Sequence, residues 1–209
     1  CGVHAGNADM MRSTLLLAKE NGVCVGAHPS YPDREGFGRR SMTMPSHELI
    51  ELVQSQIAAL SQIAVEVGVS VSYVKPHGAL YNDMMVNGLV RSAVMQAVSS
   101  SPQPLVFMLQ ATPDADIHRQ EAAAFGLEVI FEAFADRCYA DNGSLLSRKL
   151  PGAVHSREMM LEQVAQLDKS GTITTVSGHK LSIQADSICV HGDNADGVAA
   201  IEEVRQLLR

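Results

Sequence analysis

The stretch Val74-Lys75-Pro76-His77-Gly78-Ala79-Leu80-Tyr81-Asn82 decides how the rest of the chain is read. Before it, Val69-Ser70-Val71-Ser72-Tyr73-Val74 alternates apolar and small polar residues at the period of a strand. Pro76 has no N–H with which to continue a ladder or a helix, and Gly78 lets the backbone approach a neighbour closely. The pattern predicts Lys75 and His77 at the C-terminal end of a strand, where parallel α/β folds hold their ligands. A structural reading competes with it: a buried lysine paired with an acid, and a histidine bonded to a carbonyl.

The same ending recurs along the chain. Val23-Cys24-Val25-Gly26-Ala27-His28-Pro29 is a short apolar run closed by histidine and proline, and Ser187-Ile188-Cys189-Val190-His191-Gly192-Asp193 is another closed by His-Gly-Asp. Cys1-Gly2-Val3-His4-Ala5-Gly6 reads as the tail of a further strand, so at least one strand is expected to precede this chain. Leu127-Glu128-Val129-Ile130-Phe131-Glu132 runs into Ala133-Phe134-Ala135-Asp136-Arg137, again with charge at a strand's end. Packing explains one core histidine but not four at equivalent strand ends. His28, Lys75, His77, Asp136, His191 and Asp193 are therefore expected to converge on one mouth of the fold. His47, His118, His155 and His179 fall on helices, helix starts or a turn and are expected to lie away from it. Asp136 and Arg137 are adjacent and cannot both face one way in an extended segment, so one of them is expected to be structural.

Between these strand ends the chain reads as helix. Asn7 offers an N-cap, Met11, Leu15 and Ala18 share a helical face, and Asn21-Gly22 supplies a stop. From Ser46, the residues Leu49, Val53, Ile57, Leu60, Ala64 and Val67 keep the spacing of a buried stripe up to Gly68. Further helices are expected over about 86–98, 113–125, 156–170 and 194–208. The last should turn Val198, Ile201, Val204 and Leu208 inward and carry Arg205 and Arg209 at its C-terminal end. Leu105-Val106-Phe107-Met108-Leu109 is a fully apolar strand of the parallel type. Thr172–Val176 and Lys180–Ile183 read as a hairpin inserted beside the main sheet. The loop Pro29–Arg40 is long and specifically charged. It reads either as a lid whose Arg39 or Arg40 clamps a carboxylate or phosphate, or as a solvated loop whose arginines meet nearby acids. The whole reads as one domain over residues 1–209, an α/β fold of the β/α barrel type, complete or distorted.

Composition narrows the functional classes. With 209 residues, 46% hydrophobic and 19% charged, the chain can bury a core and is not disordered. A net charge of -7 gives no electrostatic footing for nucleic acid. No apolar run approaches the ~20 residues of a membrane span. Cys1, Cys24, Cys138 and Cys189 are scattered without CxxC spacing and read as buried free thiols of a reducing, cytoplasmic compartment.

Walker A, GxGxxG, HExxH and GxSxG patterns are all absent. What remains is a pool of histidines, acids, Lys75 and arginines at strand ends, suited to acid/base work on a carbonyl or amide, or to holding a hydrated divalent metal.

Six ordered blocks then carry a resemblance: Cys1–Gly6, Gly26–Asp33, Gly36–Arg40, Lys75–Asn82, Phe134–Arg137 and Val190–Asp193. Together they resemble the LamB/YcsF family, A subunits of prokaryotic ATP-dependent 5-oxoprolinases. The resemblance implies a distorted, incomplete β/α barrel akin to the polysaccharide deacetylases, acting with B and C partner subunits and with ATP and Mg²⁺. The implied reaction opens 5-oxo-L-proline to L-glutamate. Pool and resemblance together assign catalytic roles to Lys75, His77, Asp136, His191 and Asp193. They assign substrate contacts to His4, His28, Tyr31, Asp33, Arg39, Arg40, Tyr81, Asn82, Glu132 and Arg137. His28, His77 and His191 are the candidates for holding a metal. The chain departs from the family pattern at Asn7, where aspartate is usual, and around Leu109–Thr112, and it lacks the family's opening Asn-x-Asp-x-Gly-Glu strand. Two other readings stand beside this one: a metal-dependent deacetylase or amidohydrolase acting on an N-acetylated carbohydrate, and a non-catalytic substrate-binding module.

Overall fold

The computed structural model describes residues 1–208. The described residues form eight helices, α1 (Ala8–Glu20), α2 (Ser46–Val67), α3 (Gly78–Val86), α4 (Gly88–Ser99), α5 (Ala115–Ala123), α6 (Arg157–Ser170), α7 (Ala195–Ala199) and α8 (Ile201–Leu207), and seven strands. The strands are β1 (Val25–Ala27), β2 (Val71–Val74), β3 (Val106–Gln110), β4 (Val129–Phe134), β5 (Thr172–Thr174), β6 (Lys180–Ser182) and β7 (Ser187–Cys189). Five of them pair in the order β1-β2-β3-β4-β7. Each strand adds to the same side of its predecessor, so there is no switch point of the kind that marks a doubly wound sheet. This is the winding of a β/α barrel, as expected. The pairing is parallel, with Ala27 opposite Val74, Val74 opposite Phe107 and Phe134 opposite Cys189. β5 and β6 form the expected antiparallel hairpin, apart from this sheet.

The described chain divides into two compact units, one of Cys1–Leu109 with Arg119–Val129, the other of Gln110–His118 with the residues from Ile130 onward. In the first unit α2 buries Leu49, Val53, Ile57, Leu60 and Ala64, the expected stripe without Val67, and packs most extensively against α4. Gln56 interrupts that stripe and is equally buried, because its amide accepts from Ser30 N and donates to Ser30 O. A buried polar side chain so placed holds the loop after β1 against the helix. Asn7 caps α1 by accepting from Met10 N at 2.9 Å, the role its residue type predicts.

In three places the structure differs from the sequence reading. The chain from Gly78 to Val86 is helix, where a turn was expected up to about residue 86, so α3 begins directly at the Lys-Pro-His strand end. Asn87 separates it from α4: its extended backbone ends one helix, and its side chain accepts from Leu89 N and Val90 N to start the next. The final helix is likewise two pieces, broken at Ala200. The break changes the phase of the inward face. Ala200 and Val204, four residues apart, join Ala135, Met160 and Val164 in the core, while Val198, Ile201 and Leu208 are exposed. Arg205 lies in the last turn of α8, and Arg209 is outside the described residues. The four cysteines are free, but only Cys138 is buried; Cys24 is exposed because it lies in the turn between α1 and β1 rather than in the strand. Among the described residues no helix is long and apolar enough to cross a membrane.

The rephased last helix has a measurable consequence. Val204→Ala should cost about 1–3 kcal/mol in denaturant unfolding, the cost of a cavity beside Met160 and Val164, whereas Ile201→Ala should stay within about 0.5 kcal/mol. Equal losses at the two positions would restore the unbroken-helix phase.

Candidate active site

In the first unit the sheet delivers its histidines through backbone pairing that outlasts the strands. Lys75 N donates to Ala27 O at 2.9 Å and His77 N to Pro29 O at 2.8 Å. His28 and His77 are thereby brought side by side, with His77 Nδ1 and His28 Nε2 at 2.9 Å. The outer nitrogen of each ring meets a carbonyl: His28 Nδ1 faces Lys75 O at 2.6 Å, and His77 Nε2 faces Phe37 O at 2.8 Å. A carbonyl only accepts, so both outer nitrogens are the protonated ones. Two neutral rings then present two lone pairs to each other, and only a third proton satisfies all three contacts. Burial, followed by the charges of His77 and Lys75, works against that proton and pushes His28 down to about 3. The facing nitrogens therefore meet without a proton between them. His4 stacks on His77 with centroids 3.9 Å apart, and its Nδ1 meets Ser30 Oγ at 2.9 Å. Burial first, then the charge of His77, lowers His4 to about 4.

The loop after β1 closes over this cluster. Asp33 is buried and accepts from Gly36 N, Arg40 N and Arg40 Nε, with Arg40 Nη2 also on its carboxylate. The guanidinium hydrogen bond holds the Asp33 carboxyl at about 2. Arg40 is thus engaged inside the loop, the alternative that the sequence left open, and the pair shapes the loop. Tyr31 is buried and donates to Asp83 Oδ2 at 3.1 Å. Gly78 sits at φ +59, where a Cβ would lie 2.4 Å from Gly38 O, so only glycine lets the loop meet the start of α3. Arg39 is exposed, with its guanidinium 5.1 Å from the Phe37 ring centroid. Lys75 is half-buried, its Nζ 6.0 Å from the centroid of the buried Tyr81 ring, and Asn82 is exposed on α3.

The second unit holds its own strand-end group. Asp136, two residues past β4, is fully buried and accepts from His191 Nδ1 at 2.9 Å, His191 N at 3.4 Å and Asn194 Nδ2 at 3.2 Å. Burial raises its pKa, but the hydrogen bonds of His191 and Asn194 outweigh burial and hold it below the ordinary carboxylate value. The carboxylate accepts from Nδ1 and so fixes the proton there, which makes Nε2 the nitrogen of His191 left for chemistry. Arg137 points elsewhere, Nε to Ala153 O and Nη2 to Leu146 O, and so ties down the following loop. The expected division between neighbours is observed: Asp136 faces the histidine, and Arg137 holds backbone. Glu132 is buried within β4, and Asp193 is exposed with Arg148 Nη1 at 3.3 Å.

Three residues here escaped the sequence reading. Asn194 supports Asp136 while its own Oδ1 caps α7 through Gly197 N. Gln163 on α6 donates to the carbonyls of Phe134, Ala135 and Arg137, bracketing Asp136. His155 was expected away from the site, yet its N–H donates to Asp136 O and its Nε2 lies 3.3 Å from Gln163 Oε1. Asn194 follows His-Gly-Asp directly and was the one legible signal; the other two come from residues distant in sequence. Of the remaining histidines, His47 and His179 are exposed and His118 is buried on α5. Among the described residues no group of three or more His, Cys, Asp or Glu side chains is placed to hold a metal ion.

The LamB/YcsF family profile matches residues 1–209. A protein of Pseudomonas fluorescens (strain Pf0-1), named as the A subunit of 5-oxoprolinase, is 47% identical over all of this chain and 84% of its own length. One of the same name from Vibrio campbellii is 43% identical over all of this chain and 82% of its own. Among solved structures, the lactam utilization protein from Thermus thermophilus superposes with a TM-score of 0.88 at 32% identity, covering 99% of this chain and 83% of that one.

The His4 environment predicts acid sensitivity. A histidine held below its unfolded pKa contributes stability at neutral pH that is lost as pH falls from about 6.5 toward 4, because the unfolded chain binds the proton that the fold refuses. His4→Gln should therefore flatten the loss of unfolding free energy between pH 7 and pH 5 by about 1–2 kcal/mol. Parallel stability–pH profiles would show that His4 titrates normally.

Proposed function

The chain belongs to the LamB/YcsF family, and from that premise we propose that it is the A subunit of an ATP-dependent 5-oxoprolinase, opening 5-oxo-L-proline to L-glutamate in the cytoplasm together with B and C subunits. The names of its relatives support the substrate, and one observation supports hydrolysis by this chain: the buried Asp136 that holds His191 in a single tautomer. That arrangement suits removal of a proton from water as it attacks a carbonyl carbon. A lactam is a poor electrophile, and ATP with Mg²⁺ would supply activation by phosphorylating its oxygen, which draws electrons from the carbon that water attacks; the ring nitrogen then leaves as the amine, and a further hydrolysis releases the phosphate. Lys75 and Arg39 are the cations of the first unit suited to phosphoryl or carboxylate oxygens. The His28–His77 contact, short of one proton, is suited to receive a proton rather than to supply one. Arg40 and Asp33, bonded to each other, enter this reading as the frame of the loop, and Tyr31, bonded to Asp83, as its tie to α3.

The test is reconstitution of the full-length protein with its partners, following glutamate release with and without ATP. Lys75→Ala and His191→Asn should each keep fold and partner binding and lose on the order of 10²–10³ in rate. A reconstituted complex that releases no glutamate refutes the activity. Near-normal rates per folded complex in either variant remove that residue from the mechanism.

A further inference from the structure

Among the described residues, Phe37 is the one non-glycine with a positive φ, at +55°. A side chain in this region is strained, and a glycine, such as the next residue Gly38 at φ +67, takes the same conformation freely. The strain is not offset by burial, because Phe37 remains 43% exposed. Its carbonyl fixes His77 Nε2, but a carbonyl needs no phenyl ring. What the side chain adds is an apolar wall within a polar cluster. The ring stands edge-on to His4 at 5.4 Å and to His77 at 5.2 Å, near-perpendicular to both, with the Arg39 guanidinium at 5.1 Å. An exposed aromatic held at a conformational cost among titratable groups is placed to meet something that is not protein.

We propose that Phe37 is a specificity-determining residue whose ring packs against a small cyclic amide while the histidines and Arg39 beside it address the polar atoms. The inference deepens the 5-oxoprolinase reading and rests on it. A five-membered lactam has apolar methylene edges next to its carbonyl and carboxylate, and a ring beside imidazoles and a guanidinium matches that division. An open-chain glutamate, charged at its amine and free to rotate, would gain less from the same wall.

The test compares the reconstituted wild-type complex with Phe37→Gly and Phe37→Leu. Glycine removes the ring and the strain but keeps the carbonyl, so the imidazole ¹⁵N shifts of His77 should stay unchanged. Its melting temperature should equal or exceed that of wild type, while KM for 5-oxoproline rises at least tenfold and KM for ATP does not move. Leucine keeps bulk without the aromatic face and should fall between. A KM for 5-oxoproline within twofold of wild type in Phe37→Gly overturns the assignment; if that variant does not fold, the same result in Phe37→Leu overturns it. If wild type itself does not open 5-oxoproline, the activity reading has failed and this inference falls with it, an outcome visible before any variant is measured.

Discussion

The hydrogen bond from Lys75 N–H to Ala27 O, 2.9 Å long, fixes what the first unit can do. It lies just beyond the ends of β1 and β2, and with His77 N–H to Pro29 O it prolongs parallel pairing into segments that contain proline. Parallel ladders bond alternate residues, so the residues between, His28 and Pro76, are free to aim their side chains away from the pairing edge. His28 consequently lands on Lys75 O and meets His77. A shift of one residue in this register would reverse every side chain along the segment and dissolve the cluster.

Backbone acceptors also set the protonation pattern. Lys75 O and Phe37 O each claim the N–H of one ring, which leaves the two imidazoles facing one another across a contact that calls for one more proton. In the second unit a carboxylate takes the place of the carbonyl: Asp136 orients His191, and the Gln163 amide bonds the three carbonyls around Asp136. Lys75 lies one residue past β2 and Asp136 two residues past β4, while Phe37 O comes from the loop after β1.

Charge in the loop after β1 divides by burial. Asp33 is buried and takes Arg40, which folds the loop; Tyr31 is buried and takes Asp83, which ties the loop to α3. Arg39, between them in kind but exposed, stands over Phe37. Adjacent arginines of identical chemistry thus differ in place: Arg40 reaches the buried Asp33 carboxylate, and Arg39 stands over the Phe37 ring. The strained Phe37 lies between the buried pair and the histidines, where a loop fixed at both ends can sustain an unfavourable φ.

The sequence by itself determined the order of the strands, the long stripe of α2, the hairpin, the N-cap at Asn7 and the presence of histidines at strand ends. These follow from periodicities and local hydrogen bonds that act within a few residues. It also separated Asp136 from Arg137 through the alternation of an extended chain. Only tertiary structure decided that Arg40 belongs to Asp33, that Ala200 breaks the last helix so that Val204 rather than Ile201 is buried, and that His155 and Gln163 stand behind Asp136. The same holds for the start of α3 at Gly78, where the following helix periodicity is weak and the loop carbonyl of Gly38 meets Ala79 N–H from 41 residues away. Each of these rests on a partner distant in sequence, and no local pattern encodes which distant carbonyl or carboxylate will arrive.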